Sequence, residues 1–534
     1  MNQPVDERRT LARSTAAQTV LTGISRLTGF GRIVVVAAVL GTTFLGNTYQ
    51  SANTIPNIVF ELFAAGALQA VLVPALVARF DRGDDEGAHR LAGSVLGHTM
   101  LGLGVFVVVG ALASPLLMRL LVSGVDDAAV RNDQVALGTV FLLIFLPQVL
   151  IYDVGLVATA VLHARGRFGV PAFAPAINNV VVCAAYGTFW WMRRGQEPSL
   201  DLSAAEIAVL AGGTSLGVVA FCALPIAAAR RTGFRFRFSL DRSEPDVRAL
   251  ARNGLWAAAF LGMTQVLLTA VLVLGNRVEG GIVGYQVAFT FFMLPHALFA
   301  LPVLNTLFPD AARKWQANDA EGLTLTVERG TRAIAFFVLP VAAAFIALAG
   351  PISDVALFGE VTPQGVDIVV AAIVGFAPGL LGYGLFYFLS RIWYAMDDTR
   401  TPAIVHAAVV VAGVIVMVVA TSAGDGAARI GSLAWAHTGI YVVGAVVLGV
   451  ALVPRLPRAP QVGRVISTGV VAAVVGGAAT AAVAGALDPA GRVQSAVVVV
   501  VAGAAGGIVY LLVQQLLGGT RPGNVVRLLR GSDA

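Results

Sequence analysis

Apolar residues run in stretches of about 20 or more along nearly the whole chain, the length a helix needs to cross the hydrocarbon core of a bilayer. Charged residues gather in the short breaks between them. The stretches recur around 16–41, 48–79, 92–122, 134–162, 170–192, 206–229, 253–275, 281–309, 331–350, 367–395, 402–422, 430–453, 465–487 and 493–517, fourteen in all. Several are longer than a crossing requires, and the Gly and Pro inside them are tolerated where neighbouring helices satisfy the freed backbone groups. The two-residue alternation of a membrane β-barrel is missing. The pattern predicts an all-α polytopic membrane protein with about 14 transmembrane helices.

Composition agrees: 57% of the 534 residues are hydrophobic and 12% charged, with a mean hydropathy of +0.81, where soluble domains carry roughly 25% charged residues. The net charge of +6 acquires a meaning from its distribution. If the N-terminus is cytoplasmic, 26 of the 36 Lys and Arg fall on inner loops, among them Arg8, Arg9, Arg13, Arg79, Arg165, Arg230, Arg242, Lys314, Arg400, Arg458 and Arg527. Only Arg131, Arg193, Arg194, Arg277, Arg429 and Arg492 fall outside. That split is the positive-inside signature, and it requires an even number of crossings with both termini cytoplasmic. Basic character therefore needs no nucleic-acid partner, and no nucleic-acid-binding motif is present. MNQPVDERRT leads into a long span without a nearby A-x-A-like cleavage site, so no removable signal peptide is expected. Cys183 and Cys222 lie in spans and suggest neither a disulfide framework nor a metal site.

The chain repeats itself. Phe145, Pro147 and Tyr152 recur as Phe376, Pro378 and Tyr383 at an offset of 231, which also pairs Ala164 with Ala395 and Pro171 with Pro402. At an offset of 235, Pro74, Asp84, Glu86 and Gly87 recur as Pro309, Asp319, Glu321 and Gly322. Tyr49-Gln50 echoes Tyr285-Gln286, and Leu11-Ala-Arg13 echoes Leu250-Ala-Arg252. Six helices separate the copies, so both halves have one orientation, a parallel repeat about an axis along the membrane normal. The expected organisation is an N-terminal six-helix bundle over 1–230, a basic cytoplasmic linker over 231–252, a second bundle over 253–455, and helices 13 and 14 with a cytoplasmic tail over 456–534. Two such bundles facing each other describe an alternating-access transporter, with cargo between them.

Two charges sit inside the first span. Arg26 and Arg32 interrupt a stretch, Thr15 to Leu40, that is otherwise fit to cross the membrane, and a central charge costs roughly 2.5 to 3.5 kcal/mol on insertion scales. Such residues face an aqueous cavity or a partner, which makes an anionic cargo the first hypothesis. Six residues apart, the pair is separated by about 9 Å of rise and roughly 120° of rotation on a straight helix. Gly23, Gly29 and Gly31 offer points at which the helix can bend to bring both into one wide cavity.

These residues also carry a family resemblance. Ser25-Arg26-Leu-Thr-Gly29-Phe30-Gly-Arg32, Ile55-Pro56-Asn57 with Phe63-Ala-Ala-Gly66-Ala67, Phe173-Ala-Pro175-Ala-Ile-Asn178-Asn179, and Trp393-Tyr394-Ala-Met-Asp397-Asp398-Thr-Arg400-Thr401-Pro402 resemble the MurJ (MviN) lipid II flippases of the MOP superfamily. The likeness runs through nearly the whole chain, and a pair of helices beyond twelve favours this family over the MATE branch. Scarce Lys with abundant Ala, Val and Arg suggests an actinobacterial-type member. The resemblance implies a bacterial plasma (inner) membrane protein that moves the undecaprenyl-diphosphate-linked peptidoglycan precursor, lipid II, from inner to outer leaflet by alternating access. Its partners would be that precursor, membrane lipids and cell-wall synthesis proteins. Arg26 and Arg32 match the family's two helix-one arginines, whose guanidinium groups would hold the diphosphate by charge-assisted, bidentate hydrogen bonds. Helices 13 and 14 border a lipid-tail groove in the family.

The sequence also departs from it. Further cavity arginines of helices two and eight are replaced by Phe60 and Thr290, an acidic residue of the helix one-to-two turn by Asn47, and helix seven lacks the carboxylate of a described sodium site. Candidate cavity residues beyond the two arginines are Asn53, Asn57, Glu61, Asp153, His296 and Arg391. Glu61 has two readings, a carboxylate that tunes the arginines or a structural ion pair. Asp153 is either a proton or cation site or a polar residue hydrogen-bonded between helices, and His296 either packs at the Pro295 break or switches protonation. Asn53 and Asn57 bond across helices or contact cargo.

No P-loop, nucleophile elbow or metal-spaced cluster occurs, so the chain reads as a transporter and not an enzyme. No cofactor is expected, and a coupling ion or the membrane potential would supply directionality. Two alternatives remain: a flippase for another lipid-linked glycan, and a transport-inactive paralogue serving as a scaffold for cell-wall assembly.

Overall fold

The computed structural model describes residues 5–62, 69–240, 255–520 and 523, and among their side chains those of 20–62, 72–240, 259–520 and 523. Regular structure among the described residues is helical throughout. In chain order the helices are α1 (Val5–Leu40), α2 (Phe44–Leu62), α3 (Gln69–Phe80), α4 (Asp85–Leu121), α5 (Ala128–Phe145), α6 (Gln148–Ala164), α7 (Gly169–Met192) and α8 (Ala204–Arg231). There follow α9 (Leu255–Gly275), α10 (Gly281–Gln316), α11 (Ala320–Ala347), the short α12 (Ala349–Ala356), α13 (Pro363–Phe376), α14 (Gly379–Ala395), α15 (Arg400–Ala420), α16 (Gly426–Leu452), α17 (Gly463–Leu487) and α18 (Arg492–Leu516).

Each apolar stretch of the sequence coincides with helix, but the expected count of fourteen crossings is not met among the described residues. Eleven helices are long and apolar enough to cross, or twelve if α13 and α14, bent by 51° at their break, form one span. The 48–79 stretch is divided between α2 and α3 around residues 63–68, which lie outside the described residues together with the Phe63-Ala-Ala-Gly66-Ala67 motif. The 253–275 stretch is α9, whose side chains are described over Ala259–Gly275.

The chain divides into two compact units, Met1–Gln265 and Val266–Ala534. In the first, Tyr49 of α2 is fully buried and its hydroxyl bonds those of Tyr186 on α7 (2.8 Å) and Thr214 on α8 (2.6 Å). Phe141 and Phe145 of α5 meet the Tyr49 ring edge-on at 5.9 and 5.8 Å. A phenol that keeps its hydrogen bonds while burying its ring contributes both packing and orientation. The expected linker is packed at its start: His89 of α4 stacks on buried Phe234 at 4.6 Å, and the Ser239 N–H bonds the Gly93 carbonyl at 3.1 Å. Gly93 and Gly97 leave no room for a Cβ because the backbone of 237–239 lies against them. The rest of that linker, 241–252, lies outside the described residues, as do the terminal arginines Arg527 and Arg530.

In the second unit Tyr285 occupies the position of Tyr49, with Phe376 at 4.9 Å and a 3.0 Å hydrogen bond between its hydroxyl and His437 Nδ1 on α16. Helices α17 and α18 dock on α11, where the Tyr510 hydroxyl donates to the Phe336 carbonyl at 3.0 Å. Ahead of α17, Arg458 pairs with Glu321 at 2.9 Å and with Glu328, and the Gln461 N–H bonds Glu328 at 2.7 Å.

The repeat recurs in local geometry. Asp84 caps α4 by accepting the Gly87 N–H at 2.7 Å, and Asp319 caps α11 by accepting that of Gly322 at 2.8 Å. Each cap is worth about 1 kcal/mol. A Cβ on either glycine would strike the capping carboxylate, which explains why both copies keep glycine there. Pro147 and Pro378 stand at the starts of α6 and α14, where each missing N–H leaves no helical bond unmade.

Candidate functional site

The charges of the first span define where to look. α1 runs unbroken through Gly23, Gly29 and Gly31. It packs along α7, where Asn179 Nδ2 donates to Thr28 Oγ1 at 3.1 Å and to the Ser25 carbonyl at 3.4 Å. That contact turns one face of α1 to α7 and leaves Arg26 exposed and Arg32 half-buried. Neither arginine has an ion pair or hydrogen bond among the described residues. A guanidinium held in an apolar span without a counter-charge is available to an anion.

Arg32 acts electrostatically on the phenols of Tyr49, Tyr152 and Tyr186 and on Cys183. Tyr152 of α6 is the centre of the neighbouring wall. Its hydroxyl donates to Asn57 Oδ1 at 3.2 Å, and Asn57 Nδ2 donates to the Asn53 carbonyl at 2.7 Å, so Asn57 is held between α2 and α6. The ring of Phe60 lies 4.2 Å from that of Tyr152, and Phe221 of α8 closes the cluster at 6.0 Å. Glu61 is exposed at the end of α2, within electrostatic reach of Tyr152, and makes no ion pair with Arg26 or Arg32 in this conformation.

In the first unit Asn57 thus bonds Tyr152, Asn53 meets Asn57 through its carbonyl, and Arg32 and Glu61 lie within electrostatic reach of Tyr152. Asp153, the next residue along α6, points elsewhere: it is 1% exposed and bonded to Thr99 of α4. His296 and Arg391 belong to the second unit. His296 is buried with its ring centre 4.7 Å from that of Tyr383 in a T-shaped contact, and exposed Arg391 lies over Phe308 at 5.6 Å.

Two of the departures from the family pattern, Phe60 and Thr290, have structural accounts. Phe60 supplies an aromatic surface to Tyr152 where the pattern has a cation, and at a spacing of 236, the one relating Tyr49 to Tyr285, its counterpart is His296 against Tyr383. Tyr152 and Tyr383 thus each carry a ring partner at matched positions of their own unit. Thr290 and its counterpart Thr54 each turn the hydroxyl back to a carbonyl one turn earlier, Gln286 and Gln50, both at 2.7 Å. Sequence reasoning missed Tyr152 and Thr99. Tyr152 had a signal, its recurrence as Tyr383; Thr99 had none.

Two grooves lie in the second unit and touch none of these residues. One, of about 640 Å³, is lined by α15 and α16 through Gly413, Val416, Trp435 and Gly439. The other, of about 210 Å³, lies where α17 and α18 meet α11, between Pro340, Thr480, Gly506 and Tyr510.

A family model described as "Lipid II flippase MurJ" matches residues 36–501. The match begins beyond Arg32, so the roles of Arg26 and Arg32 rest on their own chemistry. A protein described as "Probable lipid II flippase MurJ" from Rhizobium meliloti (strain 1021) is 27% identical over 387 residues, 71% of this chain and 70% of its own. One of the same description from Vibrio cholerae serotype O1 is 25% identical over 400 residues, 73% and 74% of the two chains. Among solved structures, "Lipid II flippase MurJ, inward closed conformation" superposes with a TM-score of 0.75 over 93% of this chain and 98% of its own, at 18% identity. An inward-facing multidrug resistance MATE family transporter of the MOP superfamily gives 0.63 over 81% and 96%, at 13% identity. At those identities the two structures speak for the fold alone.

Proposed function

The chain belongs to the Lipid II flippase MurJ family, and from that premise we propose that it carries lipid II from the inner to the outer leaflet of the bacterial plasma membrane by alternating access, with both termini in the cytoplasm. The cargo has a diphosphate and a sugar-peptide head that hydrocarbon excludes, and a prenyl tail that never needs to leave it. What carries the reading on the protein's side is Arg32, half-buried in α1 without a counter-charge among the described residues. With exposed Arg26 on the same helix, it gives the diphosphate fixed cationic partners. The Tyr152–Asn57 pair and the Phe60 ring form a wall within electrostatic reach of Arg32. An inside-negative potential favours outward movement of the anionic head by roughly 2.3 kcal/mol per charge per 100 mV. The small-residue groove at α11, α17 and α18 is a berth for part of the tail.

A second reading has one observation in its favour: Phe60 and Thr290 stand where the family pattern has arginines, which fits a transport-inactive scaffold for cell-wall assembly. Reconstitution separates the two. Purified protein in liposomes should expose labelled lipid II to an external probe, and an Arg26→Ala, Arg32→Ala variant that inserts normally should not. Equal exposure by both proteins would remove the arginines from the binding role, and none by either would favour the scaffold. Faster exposure of a different undecaprenyl-linked glycan would reassign the cargo.

A further inference from the structure

A carboxyl that the fold does not need lies inside α6. Asp153 accepts the Thr99 hydroxyl at 2.7 Å through Oδ2, while its Oδ1 is buried without a hydrogen-bond partner among the described residues. The helices packed around it bring Glu61 on α2, Arg79 on α3, His98 on α4 and Cys222 on α8, with Tyr152 and His163 on α6 itself and Arg230 and Arg231 at the end of α8. None bonds or pairs with Asp153: Glu61 and Cys222 act on Tyr152, and His98 Nδ1 lies 2.8 Å from the Ser94 carbonyl.

Hydrogen-bond counting then separates two states. Thr99 has one hydroxyl proton and three acceptors in range, Asp153 Oδ2 at 2.7 Å, the Val95 carbonyl at 2.9 Å and, most distant, the Leu96 carbonyl at 3.3 Å. With Asp153 ionised, that single proton goes to the carboxylate and Oδ1 stays charged and dry. With Asp153 protonated, the acid donates to Thr99 Oγ1 and Thr99 donates to Val95, so one added proton satisfies both contacts. The second unit supplies the control. At the offsets of 231 and 235 that relate the two copies, Asp153 and Thr99 correspond to Gly384 and Ile334. A Cβ added to Gly384 would meet Ile334 Cγ2 at 3.0 Å, so the same junction is made there with apolar atoms alone. A buried acid that packing can dispense with points to use.

We propose that Asp153 and Thr99 form a proton-exchange site that couples a proton gradient to the flippase activity proposed above, on which this inference rests. The proton comes from water on one side of the membrane, binds the carboxylate, and leaves to water on the other; no other bond changes. The loaded form stabilises the α4–α6 contact described here. The unloaded form must admit water or part the two helices, because a dry carboxylate between them has one hydroxyl donor and no counter-charge among the described residues.

Two measurements test it. Infrared difference spectra of the full-length protein in detergent, taken across a pH jump without lipid II, should contain the carbonyl stretch of a protonated carboxyl, absent in Asp153→Asn. Lack of that band in the unaltered protein overturns the proposal whatever the cargo, and so does its displacement by sodium at fixed pH. In liposomes held at zero potential, a pH gradient should accelerate lipid II exposure, and the acceleration should vanish in Asp153→Asn. An Asp153→Gly, Thr99→Ile variant, which copies the junction of the second unit, should fold and also lose the gradient response. A full gradient response in either variant overturns the coupling. A carboxyl band in a protein that exposes no lipid II leaves the proton site standing and refutes the cargo reading instead.

Discussion

Replacing Arg32 by Ala should move stability and binding in opposite directions. Arg32 has no ion pair or hydrogen bond among the described residues, so its removal orphans no partner, and the usual large penalty for breaking a buried pair does not arise. A guanidinium in a span costs roughly 2.5 to 3.5 kcal/mol on insertion scales; lost packing of its stem offsets part of that gain. The melting temperature of the detergent-solubilised variant should therefore hold or rise. Cargo binding should weaken, because a hydrogen bond to a charged group contributes about 1.5 to 3 kcal/mol, equivalent to a loss of roughly 10- to 150-fold in affinity. Arg32→Lys should recover part of it, a point charge without the planar fork. Thermal unfolding and lipid II titration of the same preparations provide both numbers. A melting temperature several degrees lower with unchanged lipid II affinity would make Arg32 a structural residue and refute the reasoning.

Three further outcomes follow from particular contacts. Arg193 and Glu206 pair at 3.0 Å with side chains only 9% and 12% exposed, so Glu206→Ala should destabilise by about 3 kcal/mol, the low end for a broken buried pair; a loss under about 1 kcal/mol in thermal unfolding would class it with surface pairs. Burial pushes the Asp398 carboxyl up, but the Thr401 N–H at 2.9 Å and hydroxyl at 2.8 Å outweigh it and hold the group below the usual carboxylate range. Its stabilising effect is therefore complete above the ordinary carboxylate range and is lost as pH falls through the folded value, so Asp398→Asn should flatten the acid limb of a melting-temperature profile, and an unchanged limb would contradict this. Cysteines placed at Gly233 and Glu360 should be labelled from opposite sides of the membrane, cytoplasmic for Gly233; labelling from one side would break the repeat assignment.

What the sequence disclosed and what it withheld divide along a physical line. Helix positions and the matched residues of the repeat are written in local residue types, and the structure gives those matches roles that the apolar stretches did not mark, the Asp84 and Asp319 caps and the breaks at Pro147 and Pro378. Rotational phase is not written there. In a helix apolar on every side, as α6 is, no polar stripe announces which face meets which neighbour. Hence nothing in the sequence told that Tyr152 would face Asn57 and Phe60 while Asp153 faced α4. The Thr99–Asp153 bond joins residues 54 positions apart whose meeting depends on the phases of two such helices. Arg26 and Arg32 were legible because a charge in a span is costly wherever the helix turns.

The repeat turns those phases into an argument about division of labour. Matched positions share backbone geometry, so a difference in side-chain chemistry between them is not required by the fold. Tyr49 and Tyr285 both bury a hydrogen-bonded phenol, and Tyr152 and Tyr383 both carry a ring partner, Phe60 and His296. Those features belong to the shared frame. At three positions where the copies part the first unit is the more polar, Asp153 and Thr99 against Gly384 and Ile334 and Asn57 against Met293, while His296 of the second unit stands against Phe60. Burying polar groups costs free energy unless every one is bonded, and Asp153 keeps an oxygen without a partner among the described residues. Its retention opposite an apolar counterpart that packs as well is therefore evidence of function within the first unit, the unit that also carries Arg26 and Arg32.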